Sequence, residues 1–390
     1  MRGTGRAVAA RRQRNAEASS TRRPAVAIIG TRGYPSYYGG FETLVRTLAP
    51  YLVEQGWDVT VYGRAGATSP DDPQRHPGVR TVNTAGRETK ALSTLSYGFT
   101  SSLHAAARRP DVALVMNVAN GYWLPSLRAR GVPTVLNVDG IEWQRQKWGT
   151  VAKAVFRGGA RMSGRWADVL VYDAQAIARH WEREFGRTGA VIEYGGDCPE
   201  DLPVPDGLTH RGYALLVARF VPENTVPEFL EAAAELGKTT DVVLVGTSGY
   251  GGPLDEQAAA LAVTNPRIRW LGHVSDDRKL FSLWQHAGAY FHGQSVGGTN
   301  PALVQAMACG APIVARDTVY TREVLDQAGI FVQPTPESIR QGVLRTLSEP
   351  ALQDRLSAQA LARARSHYTW ERICALYAET LRRAIRGGAQ

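Results

Sequence analysis

Cysteine is scarce. Cys198, Cys309 and Cys374 are the three in 390 residues, and none stands at metal-ligand spacing from another. That excludes a disulfide framework and a zinc site. Cys309, inside the run ALVQAMACG, is expected to be a small buried side chain. Long apolar runs are missing too: no stretch approaches the ~18 uninterrupted apolar residues of a membrane-spanning helix. The opening MRGTGRAVAARRQRNAEASSTRRP has no apolar segment of the kind a secretory signal needs, which makes the cytoplasm the expected location. Acidic residues are short only locally. Residues 1–23 hold seven arginines against Glu17, so +6 of the net +9 lies there and +3 remains for the other 367. Such a tail has little to bury and is expected to be disordered. Two readings stay open for it: a solvated extension, or a segment drawn to anionic lipid at the inner membrane face by ~1 kcal/mol per basic residue. No recognition motif accompanies these arginines, so nucleic acid is not an expected partner.

What is present is an alternating pattern. An apolar content of 44% with 21% charged residues fits a soluble globular chain, and 390 residues suit two domains. Short β-branched runs (AVAIIG, DVTVYG, VRTVN, DVALVMNV, PTVLNV, ADVLVYD, GAVIEYG) alternate with amphipathic helical stretches in the first half. One helical stretch, residues 41–55, contains Pro50 and is expected to kink there. The pattern lapses in YGGDCPEDLPVPDGLTHR and restarts with YALLVAR, TDVVLVG, RIRWLG, GAYFHG, APIVAR and GIFVQP. Alternation of this kind means parallel strands joined by crossover helices. The expected division is a basic tail (1–23), a first doubly wound α/β domain (24–197), a linker (198–210) and a second such domain (211–369). Helical segments at 335–348, 350–366 and 370–387 close the chain.

Three motifs carry chemistry. GTRGYPSYYGGFETLV follows the first strand and opens the first helix. Gly39 and Gly40 permit close approach of backbone to a ligand, and the helix N-terminus offers N–H groups to an anion. The glycine spacing is not that of the dinucleotide fingerprint, and taken alone the pair fits a tight turn equally well. VARFVPEN places Arg219 at the carboxyl end of the strand opening the second domain, where a guanidinium can fork to phosphate oxygens or simply face water. FHGQSVGGTNPALVQAMACGAPIVAR ends a strand, loops through glycines and starts a helix with Asn300 as N-cap and Pro301 at its first position. Gln305 is the single polar side chain on that helix, so it needs partners either in a ligand cleft or from core backbone.

The order and spacing of GTRGYPSYYGGFET, NVDGIEWQRQKWG, VARFVPEN and HGQSVGGTNPALVQAMACGAPIVARD resemble family 4 of the retaining GT-B glycosyltransferases, most of all a branch of bacterial rhamnosyltransferases. The likeness runs from residue 25 to about 385, and HYTWERICALYAETL is similar to the final helix that returns to the first domain in this fold. It implies a GT-B architecture and a donor diphosphate near Gly39 and Gly40, neutralised by Arg219 and met by the loop amides of Gly298, Thr299 and Asn300. His273 falls where backbone frames the nucleobase, and Asp139 where many members carry a histidine beside the transferred sugar. The chain departs from the broad pattern at Asn224, where a lysine is usual, and at Gly297 and Gln305, the places of two glutamates. The first two changes resemble the rhamnosyltransferase branch; Gln305 does not, since that branch commonly keeps the glutamate that holds donor hydroxyls.

The resemblance thus implies transfer of a hexose, L-rhamnose first, from a nucleotide-diphosphate sugar to a saccharide or lipid-linked saccharide acceptor with retention. No Asp-rich metal motif stands near these loops, so neither metal nor cofactor is expected. The alternatives are a donor-binding scaffold that no longer turns over and a nucleotide-sugar 2-epimerase, which shares the architecture.

Overall fold

The computed structural model describes residues 22–37, 39–88, 93–145, 148–197, 200–249 and 251–387. Cys198 and most of the basic tail therefore lie outside the described residues. Each β-branched run forms a strand, and the strands divide between two parallel sheets. The first has the order β3-β2-β1-β4-β5-β6-β7, from β1 (Ala25–Ile29), β2 (Asp58–Arg64), β3 (Val79–Thr84), β4 (Val112–Met116), β5 (Thr134–Asn137), β6 (Val169–Tyr172) and β7 (Ala190–Val191). The second has the order β10-β9-β8-β11-β12-β13, from β8 (Tyr213–Val217), β9 (Asp241–Val245), β10 (Ile268–Trp270), β11 (Ala289–His292), β12 (Ile313–Arg316) and β13 (Ile330–Val332). In both sheets the winding reverses beside the opening strand: Val26 pairs with Val59 of β2 on one side and Val112 of β4 on the other. A crevice opens beyond the carboxyl ends of the strands at such a reversal.

The two-residue period of the strands divides each core in two. Val26 and Ile28 pack on one face of the first sheet, Ala27 and Ile29 on the other. Tyr213 and Leu215 are likewise separated from Ala214 and Leu216 in the second. Both faces must then be covered by helices, which is why these strands are apolar throughout. In the first half the helices are α1 (Gly40–Glu54), α2 (Ser93–Arg108), α3 (Leu124–Arg128), α4 (Thr150–Trp166) and α5 (Gln175–Phe185). In the second they are α6 (Val226–Leu236), α7 (Pro253–Thr264), α8 (Asp277–His286), α9 (Pro301–Ala308), α10 (Val319–Leu325), α11 (Pro336–Ser348), α12 (Pro350–His367) and α13 (Trp370–Gly387). α1 runs unbroken through Pro50.

The last helix belongs spatially to the first sheet. Ile373, Cys374, Tyr377, Ala378 and Leu381 of α13 are buried with Leu44, Leu48 and Leu52 of α1 against β1 and β4. Burying each large apolar side chain contributes ~1.5–3 kcal/mol, ample to hold the helix there. Residues 200–210 contain neither helix nor strand. They run along α8, where Gln285 accepts from the Leu202 amide and Ser282 donates to the Pro203 carbonyl.

Candidate active site at the domain junction

The two sheets meet through the loops at the carboxyl ends of their strands. A Cβ on Gly40, at the start of α1, would lie 3.3 Å from the Tyr194 hydroxyl and 3.4 Å from Pro301 at the start of α9. A Cβ on Gly140, after β5, would lie 2.9 Å from the Gly297 Cα of the loop after β11. Thr299 of that loop donates its amide at 3.2 Å and its hydroxyl at 2.5 Å to the Asp173 carbonyl at the end of β6. Farther out, Arg46 of α1 pairs with Asp277 of α8 at 3.2 Å. The Glu323 carboxylate of α10 accepts the Ala176 amide at 2.9 Å, in the first turn of α5. An anion at a helix N-terminus is favoured, so this contact ties the domains together.

Asp139 has a left-handed backbone, φ +63°, which is uncommon for a residue with a side chain. It is held by Asn137, whose side-chain oxygen accepts the Asp139 amide at 2.9 Å, and by Asn117, whose amide group donates to Asp139 Oδ2 at 3.3 Å. Asn137 in turn donates to the Tyr377 hydroxyl at 2.7 Å, so α13 helps to set the floor of the site.

Two charged residues of this region were missed by motif. Asp173 is buried, and burial first, then the neighbouring Asp139 carboxylate, pushes its pKa up to about 8. Its Oδ1 has no hydrogen-bond partner among the described residues and faces Gly298. Arg145, in the NVDGIEWQRQKWG stretch, pairs with Glu142 beside Gly140. Burial opposes its charge, but the carboxylates of Glu142, Asp139, Glu223 and Asp173 outweigh that and hold its pKa above the ordinary arginine value. Glu223 comes from the second domain, so the cluster spans the junction. The signal that could have found Asp173 is an acid at the very end of a core strand.

The other expected residues fall into place unequally. Arg219 is exposed two residues beyond β8, and its guanidinium has no ion pair among the described residues. Asn224, expected on the donor, instead turns back and donates to the Arg219 carbonyl at 2.9 Å, closing the loop. Asn300 caps α9 as its position suggests, accepting the amides of Ala302 at 2.8 Å and Leu303 at 3.3 Å. Those two amides are thus occupied, and of the three loop amides expected at a diphosphate, that of Thr299 is engaged with the Asp173 carbonyl. The first turn of α1 after Gly39 has no side-chain cap. Of the N-termini of α1 and α9, that of α1 is the one without a side-chain cap among the described residues.

Gln305 finds its partner in backbone, the second of the two expected options. It is half-buried, and its Nε2 donates at 2.6 Å to the Asp197 carbonyl at the start of the interdomain connection. The amide thereby ties α9 to the start of that connection. Gly297 has φ +98°, so a glutamate there would be strained, and its Cβ would lie 2.9 Å from Gln294 Nε2. His273 is exposed beyond β10, at the sheet edge. A cavity of about 480 Å³ lies between the residue 202–208 segment and α8, with Leu202, Val204, Leu208, Arg269 and Leu283 among its lining and none of the candidate residues in it.

Known proteins share this organisation. Residues 38–196 match the model of Glycosyltransferase Family 4, and residues 207–363 that of Glycosyl transferases group 1. O-antigen chain mannosyltransferase B of Escherichia coli is 26% identical over 169 residues, 42% of this chain and 44% of that protein. An uncharacterized glycosyltransferase of Methanocaldococcus jannaschii is 24% identical over 203 residues, 50% of this chain and 52% of that one. The chain thus spans about half the length of the curated relatives it matches. Sucrose-phosphate synthase from Thermosynechococcus elongatus superposes with a TM-score of 0.76 at 19% identity, covering 94% of this chain and 100% of that one. Anabaena HepE in complex with UDP gives 0.72 at 18%, covering 92% and 99%. With both halves matched by glycosyltransferase families and both sheets arranged as in those structures, the chain belongs to the family 4 and group 1 glycosyltransferases of the GT-B fold.

Proposed function

We propose that the protein transfers a hexose from a nucleotide-diphosphate sugar to a hydroxyl of a saccharide or lipid-linked saccharide, with retention and without a metal. The observation that carries this reading is the convergence of Asp139 and Gly140 with Gly297, Gly298 and Thr299 at the carboxyl ends of two sheets, beside the uncapped N-terminus of α1. Arg219, exposed and without an ion pair among the described residues, supplies a cation at the end of β8. During transfer the sugar carbon becomes cation-like while charge grows on the departing diphosphate. Preset donors aimed at that charge lower the barrier. Arg219 and the first amides of α1 take this task, and Asp139 lies on the sugar side. HepE supports the reading, having been crystallised with UDP-glucose as well as with UDP.

Because the Thr299 amide and the Gly140–Gly297 contact are engaged across the junction, donor entry requires the domains to part. L-Rhamnose is the favoured sugar on the sequence likeness. The mannosyltransferase relative is compatible with that choice, since both sugars share the manno configuration. Thermal shift with UDP-glucose, GDP-mannose and dTDP-L-rhamnose tests donor choice, a ligand at 100 times its Kd adding ~2.7 kcal/mol. The anomeric configuration of the product, read by NMR, tests retention. Absence of turnover with every donor would favour the scaffold reading, and interconversion of two nucleotide sugars without acceptor the epimerase.

A further inference from the structure

The charge of the folded chain is unevenly spread in a way its total conceals. Three neighbouring helices on one side of the first sheet, α2, α3 and α4, contain no acidic residue. With the adjoining Arg109 and Arg130 they carry Arg108, Arg128, Lys153, Arg157, Arg161 and Arg165, which makes +8. Residues 24–390 total only +3, so the remainder of the folded chain is net −5. The α4 cations recur every four residues, along one stripe. The opposite stripe, Gly159, Ala160, Ser163 and Gly164, is buried, and Gly159 sits so close to the Val118 carbonyl that a Cβ there would lie at 2.5 Å. Small residues inward leave the arginines outward.

Partners neutralise little of this. Arg157 pairs with Glu184 at 2.8 Å, and Arg128 with Asp168 at 3.5 Å. Arg161 has no ion pair among the described residues, and Arg165 lies over the Trp166 ring at 5.4 Å. Apolar side chains stand exposed on the same layer: Phe99 at 42% and Leu103 at 45% on α2, and Val151 at 79% on α4. An aromatic belt joins the two helices. The Phe99 ring lies 4.8 Å from that of Trp123, and the neighbouring Tyr122 donates its hydroxyl to the Val155 carbonyl of α4 at 2.9 Å.

We propose that the outer face of α2, α3 and α4 docks the protein on an anionic lipid bilayer. Arginines beside exposed apolar and half-buried aromatic side chains match an interface where headgroups are negative and the layer beneath is greasy. Charge alone would suit any polyanion; Phe99, Leu103 and Val151 select the membrane. This surface is separate from residues 1–23 and does not depend on the donor reaction.

The test uses the full chain with sucrose-loaded vesicles of phosphatidylcholine alone, or with a third of phosphatidylglycerol. Binding is expected to the anionic vesicles and to fade with salt. Arg161→Gln with Arg165→Gln should lower the partition coefficient about 30-fold, the effect of losing two basic contacts with an anionic surface. Phe99→Ala with Leu103→Ala should reduce what binding remains at high salt. The tail is present in every sample, so these differences belong to the helical face. Melting temperatures equal to that of the native chain show that the variants fold. Native-like vesicle binding by the arginine variant overturns the proposal. So does retention of the protein by single-stranded RNA but not by vesicles.

Discussion

Gly298 and Asp173 meet so closely across the junction that a Cβ on the glycine would stand 2.0 Å from the carboxylate Oδ1 and 2.5 Å from its Cγ. A residue without a side chain is what lets the loop after β11 rest on the end of β6. Gly298→Ala is expected to hold the domains apart while each still folds. X-ray scattering should show a larger radius of gyration, and transfer should fall about a hundredfold, the scale set by a misplacement of ~1 Å. Adding Asp173→Ala makes room and should recover part of both. A folded Gly298→Ala protein with native radius and native transfer would remove the steric case.

The Asp173 carboxyl also makes the closed junction sensitive to pH. Its pKa rises from 3.8 to about 8 in the folded protein, so the folded state holds a proton that the unfolded state has released. Between those values stability falls as pH rises, and above the upper one it falls no further for this group. Asp173→Asn removes the titration while keeping the shape. The gap in melting midpoint between variant and native protein should be small near pH 4, widen by several degrees towards pH 8, then stay level. A gap independent of pH would show that Asp173 is solvated.

Arg219 carries no structural duty through its side chain, since the loop is closed by its carbonyl and Asn224. Arg219→Ala should therefore melt as the native protein does. It should lose transfer by a factor of ~100 or more, as when one preset electrostatic donor is removed. Native-rate transfer by the folded variant would exclude Arg219 from the reaction.

Gln305 now leads to an outcome different from that of a donor-facing amide. A glutamate cannot donate to the Asp197 carbonyl and would place a carboxylate oxygen against it. Gln305→Glu is expected to cost about 1 kcal/mol, a lost hydrogen bond plus an unmatched acceptor, and to lower the melting midpoint by ~2–4 °C. Donor affinity should change little in either Gln305→Glu or Gln305→Ala. Tighter donor binding by the glutamate variant would restore the side chain to the sugar.

Strands were legible because parallel sheets buried on both faces write continuous β-branched runs, and each such run became a strand. Cap chemistry was legible too, Asn300 and Pro301 standing where a helix must start. What could not be read was who faces whom across the junction. Asp173 was visible only as the last letter of a strand, and Arg145 as one cation in a polar stretch. Their meaning arises when β5 and β6 confront the loop after β11. Asn224 and Gln305 look like ligand groups in a motif, yet each satisfies a nearby carbonyl instead. Net charge averaged the basic layer of α2 to α4 against acids elsewhere, and only the fold separates them.

The docking of α13 against β1, β4 and α1 bears on how the protein is born. Its Tyr377 hydroxyl holds Asn137, which holds the Asp139 amide, so the floor built from the first half of the chain is completed only once Tyr377 has been made. At ~5–20 residues per second, roughly 10–40 s separate the emergence of β7 from that of Tyr377. Throughout that interval the apolar face of α1 and β1 waits uncovered on the ribosome. It is the natural station for a chaperone and the point at which a stalled or truncated chain would aggregate.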